Sequence, residues 1–121
     1  MSTYLRTLSM LAAVSCCTVC VAAPNVDYCS GIERWATSMA YVNLKNARLI
    51  DTDKVDYKKT KTVRLASERI GKDLFRQVHQ VVFTERSGRK IEVITVNDAS
   101  SEECSMSGVQ VFVVSQQLGE R

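Results

Sequence analysis

The clearest pattern along the chain is an alternation of apolar and polar side chains between Leu74 and Asp98. Two runs each place three residues on one face: His79, Val81 and Phe83, and then Ile91, Val93 and Thr95. Because strand side chains alternate with a period of two, both runs predict strands with one face on a core. Ser87-Gly88-Arg89 between them fits a hairpin loop, in which Gly88 tolerates a positive φ. We therefore predict a central β-hairpin.

The opposite face of these strands is also partly apolar. Its apolar members are Val82, Ile94 and Val96, joined by Phe112 and Val114 further along the chain. A second apolar face indicates that both faces are covered, or that one is offered to a partner.

Further elements flank the hairpin. Residues 61–70 alternate as a strand, with a helix as the alternative, and residues 46–61 read as a connection. The last predicted strand runs from Val109 to Leu118, with Val109, Val111 and Val113 directed inward.

The pattern before the hairpin is helical. From Asp27 to Asn46, apolar residues recur at intervals of three and four: Tyr28, Ile32, Trp35, Met39 and Val42. A meander with short turns is antiparallel and needs a cover for its apolar face. We therefore predict an α+β fold, in which one N-terminal amphipathic helix packs on a three- to four-stranded antiparallel β-meander.

The first 22 residues have the pattern of a secretory signal peptide. Arg6 precedes an uncharged apolar run, and small residues allow cleavage after Ala22. Residues 23–121 then form a single small domain in the periplasm or secreted from the cell. Three cysteines in the signal segment, Cys16, Cys17 and Cys20, raise lipidation as an alternative, but the residues before them make a poor lipobox, so we do not expect membrane anchoring.

Two cysteines remain after the signal segment, Cys29 and Cys104. A lone pair in an exported chain, with neither cysteine in a CxxC motif, predicts one disulfide. A thiol pair for redox chemistry or metal binding is the alternative.

The charge of the exported part is weakly basic, since 15 basic residues stand against 13 acidic ones. The region from Lys54 to Arg76 holds eight basic and three acidic residues, and the loop from Ala99 to Gly108 is acidic. We predict a binding surface from these two regions, formed by Lys58, Lys59, Lys61, Arg64, Glu102 and Glu103. A solvated strand face is the alternative. Export and the scarcity of aromatic residues near the lysines argue against nucleic acid as the partner.

The residues needed for catalysis are not arranged as a recognisable motif. His79 is the single histidine, and no Ser or Cys is placed beside it as a nucleophile. Metal-ligand spacing and glycine-rich phosphate loops are lacking too. We therefore predict that the protein is not an enzyme and that it binds neither a cofactor nor a metal ion.

Three functions remain to be compared. The first is a small exported binding module of the cell envelope, such as an inhibitor or immunity-type protein, whose partner is a protein or an envelope polymer. The second is a structural envelope protein that self-associates as a homo-oligomer through its semi-apolar sheet face. The third and weakest is a small hydrolase acting through carboxylates and His79.

Overall fold

The computed structural model describes residues 27–31, 34–114 and 118. The predicted signal segment, with Cys16, Cys17 and Cys20, lies outside these residues.

The described chain forms one α-helix and one antiparallel sheet, so the predicted α+β class is confirmed. The elements are a 3₁₀ turn (Asp27–Ser30), α1 (Trp35–Asn46), a second 3₁₀ turn (Tyr57–Lys59), β1 (Lys61–Gly71), β2 (Leu74–Thr84), β3 (Lys90–Ala99) and β4 (Gln110–Val113).

The four strands pair in chain order, each antiparallel to its neighbour, which makes a simple meander. The predicted hairpin is confirmed as β2 and β3, with Val81 opposite Val93. Gly88 in its loop has a φ of 92°, a region that costs glycine little.

Residues 61–70, for which the sequence allowed either a strand or a helix, lie in the strand β1. It pairs with β2 along its length, with register shifts between Arg64 and Ala66 and between Arg69 and Gly71. Local sequence suited both structures, and antiparallel pairing with the adjoining strand β2 decided between them.

The helix differs from its prediction in both start and orientation. It begins at Trp35, after the first 3₁₀ turn, and its buried residues are Ala36, Thr37, Ala40 and Leu44. The predicted stripe is confirmed only in part: Trp35 is half-buried and packs beside Cys29 and Cys104, whereas Val42 is 41% exposed. Small side chains at positions 36 and 40 let the helix backbone approach the sheet closely, whereas the pattern of large residues pointed elsewhere.

The last strand is shorter than predicted. Within β4, Val111 packs against the core, as expected. Val113 lies opposite the buried Val93 on the same face, yet it stays 46% exposed because it lies on an edge strand, beyond the cover of α1. The predicted extension towards Leu118 crosses residues 115–117, which lie outside the described part.

Two apolar clusters stabilise the fold. The larger joins the helix to the hairpin through Ala40, Leu44, Ile50, Val55, Val81, Phe83, Ile91 and Val93. The smaller contains the disulfide: Cys29 and Cys104 are bonded, with their Cα atoms 5.5 Å apart, beside Ala99 and Trp35. The predicted disulfide is thus confirmed. Trp35 also donates a 2.9 Å hydrogen bond from Nε1 to the Ser107 carbonyl, which ties the helix start to the loop after β3.

Candidate binding surface

One face of the sheet has no described element packed over it. The helix packs on the face that carries Val81 and Val93, which we call the inner face. The opposite, outer face carries a band of apolar side chains from all four strands: Val63, Val78, Val82, Ile94, Val96 and Phe112. Val63 is 53% exposed and Phe112 is 54% exposed, and they lie on the two edge strands of the sheet, β1 and β4. The apolar band therefore reaches across the width of the sheet.

Polar side chains on the outer face are engaged with one another. Arg76 and Asp98 lie on neighbouring strands, with Nε and Oδ1 3.0 Å apart. The hydrogen bond to Asp98 raises the pKa of Arg76 above its ordinary value. Nearer the middle, the Gln80 amide donates a 2.5 Å hydrogen bond to Glu92. With their polar groups paired to each other, these residues leave the apolar band as the main feature open to a partner.

A cavity lies away from this face, beside the end of α1. It has a volume of about 560 Å³ and is lined by charged side chains, among them Lys45, Arg48, Asp51, Lys54, Glu85 and Arg89. Both carboxylates in it are already in ion pairs, Asp51 with Lys54 at 3.2 Å and Glu85 with Arg89 at 2.7 Å. The Arg89 hydrogen bond lowers the pKa of Glu85, and the backbone N–H of Asp53 lowers that of Asp51. These carboxylates are arranged as structural ion pairs.

Five of the six residues of the predicted charged surface lie at two ends of the molecule. Lys58, Lys59 and Lys61 are exposed around the start of β1, opposite the end of β2. Glu102 and Glu103 follow β3, near the start of β2, and line a cavity of about 340 Å³ with Arg34 and Trp35. Val82, opposite Lys61, lies seven positions along β2 from Phe75, opposite Ala99, a distance of about 23 Å. The structure therefore does not bring the basic and acidic groups together.

Arg64 and Glu103 are each engaged locally. Arg64 is half-buried on the inner face, opposite His79. The Glu103 carboxylate accepts hydrogen bonds from the backbone N–H and hydroxyl of Ser105, and these bonds lower its pKa. His79 itself is fully buried, with Arg64 and Thr95 as its neighbours across the sheet. The sheet thus places a cation and a hydroxyl beside the histidine, with Glu103 in an exposed loop.

Sequence reasoning missed a cluster of buried polar side chains on the inner face. It consists of Gln77, His79, Thr95 and Asn97, on adjacent positions of β2 and β3. Both polar atoms of Gln77, both ring nitrogens of His79 and the Thr95 hydroxyl lack a hydrogen-bond partner among the described residues. Burial, with the charge of Arg64 as a second cause, lowers the pKa of His79 to about 4. The histidine is therefore neutral at pH 7. Extending the alternation by one step at each end would have found Gln77 and Asn97.

Among the described residues, no group of three or more His, Cys, Asp or Glu side chains is placed to hold a metal ion. In the same part of the chain, no helix has the length and apolar content needed to cross a membrane.

In comparisons with known proteins, no family model, curated protein or solved structure matches this chain.

Proposed function

We propose that this protein is a small exported binding module of the cell envelope, which binds another protein through the outer face of its sheet. The observation that carries the proposal is the apolar band, with Val63 and Phe112 each more than half exposed. Contiguous exposed apolar surface on a small domain is typical of interaction sites, because leaving it in water is unfavourable.

The form of the surface favours a protein over a small molecule or an envelope polymer. A sheet face is broad and shallow, whereas small-molecule sites are concave and enclose most of the ligand. The middle of the band is aliphatic, with Val78, Val96 and Ile94 on neighbouring strands. Apolar centres with a polar rim are characteristic of protein interfaces. An inhibitor or immunity-type protein would use such a surface to cover its target.

The disulfide is compatible with an oxidising compartment outside the cytoplasm. Periplasmic or secreted localisation, and removal of residues 1–22, are part of the proposal.

The proposal can be tested by affinity capture from periplasmic extract, followed by binding measurements with the purified captured protein. Val78→Glu and Val63→Glu place a charge in the apolar band, and each is expected to weaken binding at least tenfold. Leu49→Glu is the matched control, since Leu49 is 47% exposed but lies beyond the end of α1. Equal loss with all three variants, or no loss with either outer-face variant, would refute the outer face as the interface.

A further inference from the structure

The two edges of the sheet differ in how well they resist pairing with another strand. One edge is β1 and the other is β4. The β1 edge has two register shifts and carries Lys61, Arg64, Glu68 and Arg69. Bulges and charges are devices that prevent edge-to-edge pairing.

The β4 edge has none of these devices. It is formed by Gln110–Val113 and pairs with β3 in unbroken register. The sequence is free of charged residues and proline from Gly108 to Leu118. Uncharged segments of valine and phenylalanine have high β propensity and pair readily when exposed at an edge.

The hydrogen-bond direction in β4 shows which backbone groups face outward. The Val114 N–H donates to the Glu92 carbonyl at 2.9 Å, which directs even-numbered residues towards β3. Because backbone groups alternate along an antiparallel strand, the N–H and C=O groups of Val111 and Val113 point to the free edge. They form the row that a further strand would pair with.

We propose that β4 pairs with β4 of a second copy of this chain, antiparallel and about a two-fold axis at Phe112. Val111 of one copy then forms a hydrogen-bonded pair with Val113 of the other. Phe112 faces Phe112 of the second copy in the intervening pair, where side chains are closest. This register covers the exposed side chain on each face of β4, Val113 on the inner face and Phe112 on the outer face.

A second copy fits this edge better than a charged partner strand does. The edge carries no charge for a partner to complement, and identical neutral strands meet without repulsion. The same register joins the two apolar bands across an eight-stranded sheet. Because the bulges and charges of the β1 edges prevent strand pairing there, assembly stops at the dimer and does not continue into a filament. The dimer goes beyond the proposed function and does not depend on it.

Sedimentation of the purified protein over a rising concentration series tests the proposal. We expect the mass to rise towards twice that of the monomer and to level off there. Val113→Pro removes only an outward-facing N–H, so it should keep the fold and remain monomeric at every concentration. Val63→Lys on the β1 side is matched in exposure and should dimerise like the wild type.

A second variant tests the register. Phe112→Cys should form a cross-linked dimer under mild oxidation, because cross-strand positions of this kind lie within disulfide distance, and Val63→Cys should not. A wild type that stays monomeric at all concentrations, a dimer that survives Val113→Pro, or growth beyond two copies would overturn the proposal. A monomer that still binds a captured protein would overturn the dimer while leaving the proposed function intact.

Discussion

At the scale of single residues, Thr95 is a buried hydroxyl without a hydrogen-bond partner in the described chain. Burying such a group costs free energy, and an apolar group of the same shape avoids that cost. We expect Thr95→Val to raise the free energy of unfolding by about 1 kcal/mol, measured by urea denaturation. Thr62→Val is the contrasting control. The Thr62 hydroxyl lies 2.7 Å from that of Thr37, so losing this hydrogen bond should lower the free energy of unfolding. Destabilisation by both variants would show that Thr95 does have a partner.

At the same scale, His79 makes the stability of the protein depend on pH. Its pKa is about 4 in the folded state, against 6.5 for an ordinary histidine, so between these values the unfolded chain binds more protons. Stability therefore falls as the pH drops through this window, by about 3 kcal/mol in full. His79→Leu removes this contribution. Denaturation at pH 7 and at pH 4.5 should show a smaller acid loss in the variant, and equal losses would contradict the assignment to His79.

At the scale of elements, the end of α1 contains an unfavourable residue. The Leu49 N–H bonds to the Leu44 carbonyl and the Arg48 N–H to the Lys45 carbonyl, both at 3.0 Å. This Schellman pattern requires a left-handed residue, and Arg48 has a φ of 57°. We expect Arg48→Gly to stabilise the protein by about 0.5–1 kcal/mol, seen as a higher melting temperature. Arg48→Ala keeps the steric conflict and should give no such gain.

The helix and the strands also show which parts of the fold can be predicted from the sequence and which cannot. The hairpin was predictable because its alternation is local and its loop contains Gly88. The buried face of α1 was not, since Ala36 and Ala40 carry little hydrophobic signal and become important only through close approach to the sheet. In the candidate site, the alternation of side chains predicts Ile94 and Phe112 on a second apolar face. Val63 is placed on the same face by its cross-strand pairing with Gln80, and this register is not encoded in the periodicity of either strand alone.

At the scale of the whole molecule, the disulfide links the first 3₁₀ turn to the loop after β3, over a sequence separation of 75 residues. A cross-link closing so long a loop lowers the entropy of the unfolded chain and contributes up to about 4 kcal/mol. Small domains have a total stability of about 5–15 kcal/mol. The cross-link is therefore a major part of what keeps this domain folded.

We expect Cys29→Ala/Cys104→Ala to lower the free energy of unfolding by about 2–4 kcal/mol, because alanine suits the apolar surroundings but leaves the unfolded chain unconstrained. The wild type under reducing conditions is the matched control and should unfold at nearly the same urea concentration as the double variant. Both substitutions lie beside Trp35 and Ala99, on the side of the sheet that α1 covers. The folded double variant should therefore keep its outer face and its β4 edge. A loss below about 1 kcal/mol would mean that packing of Trp35 and the inner face, rather than the sulfur bond, determines the stability of this end of the molecule.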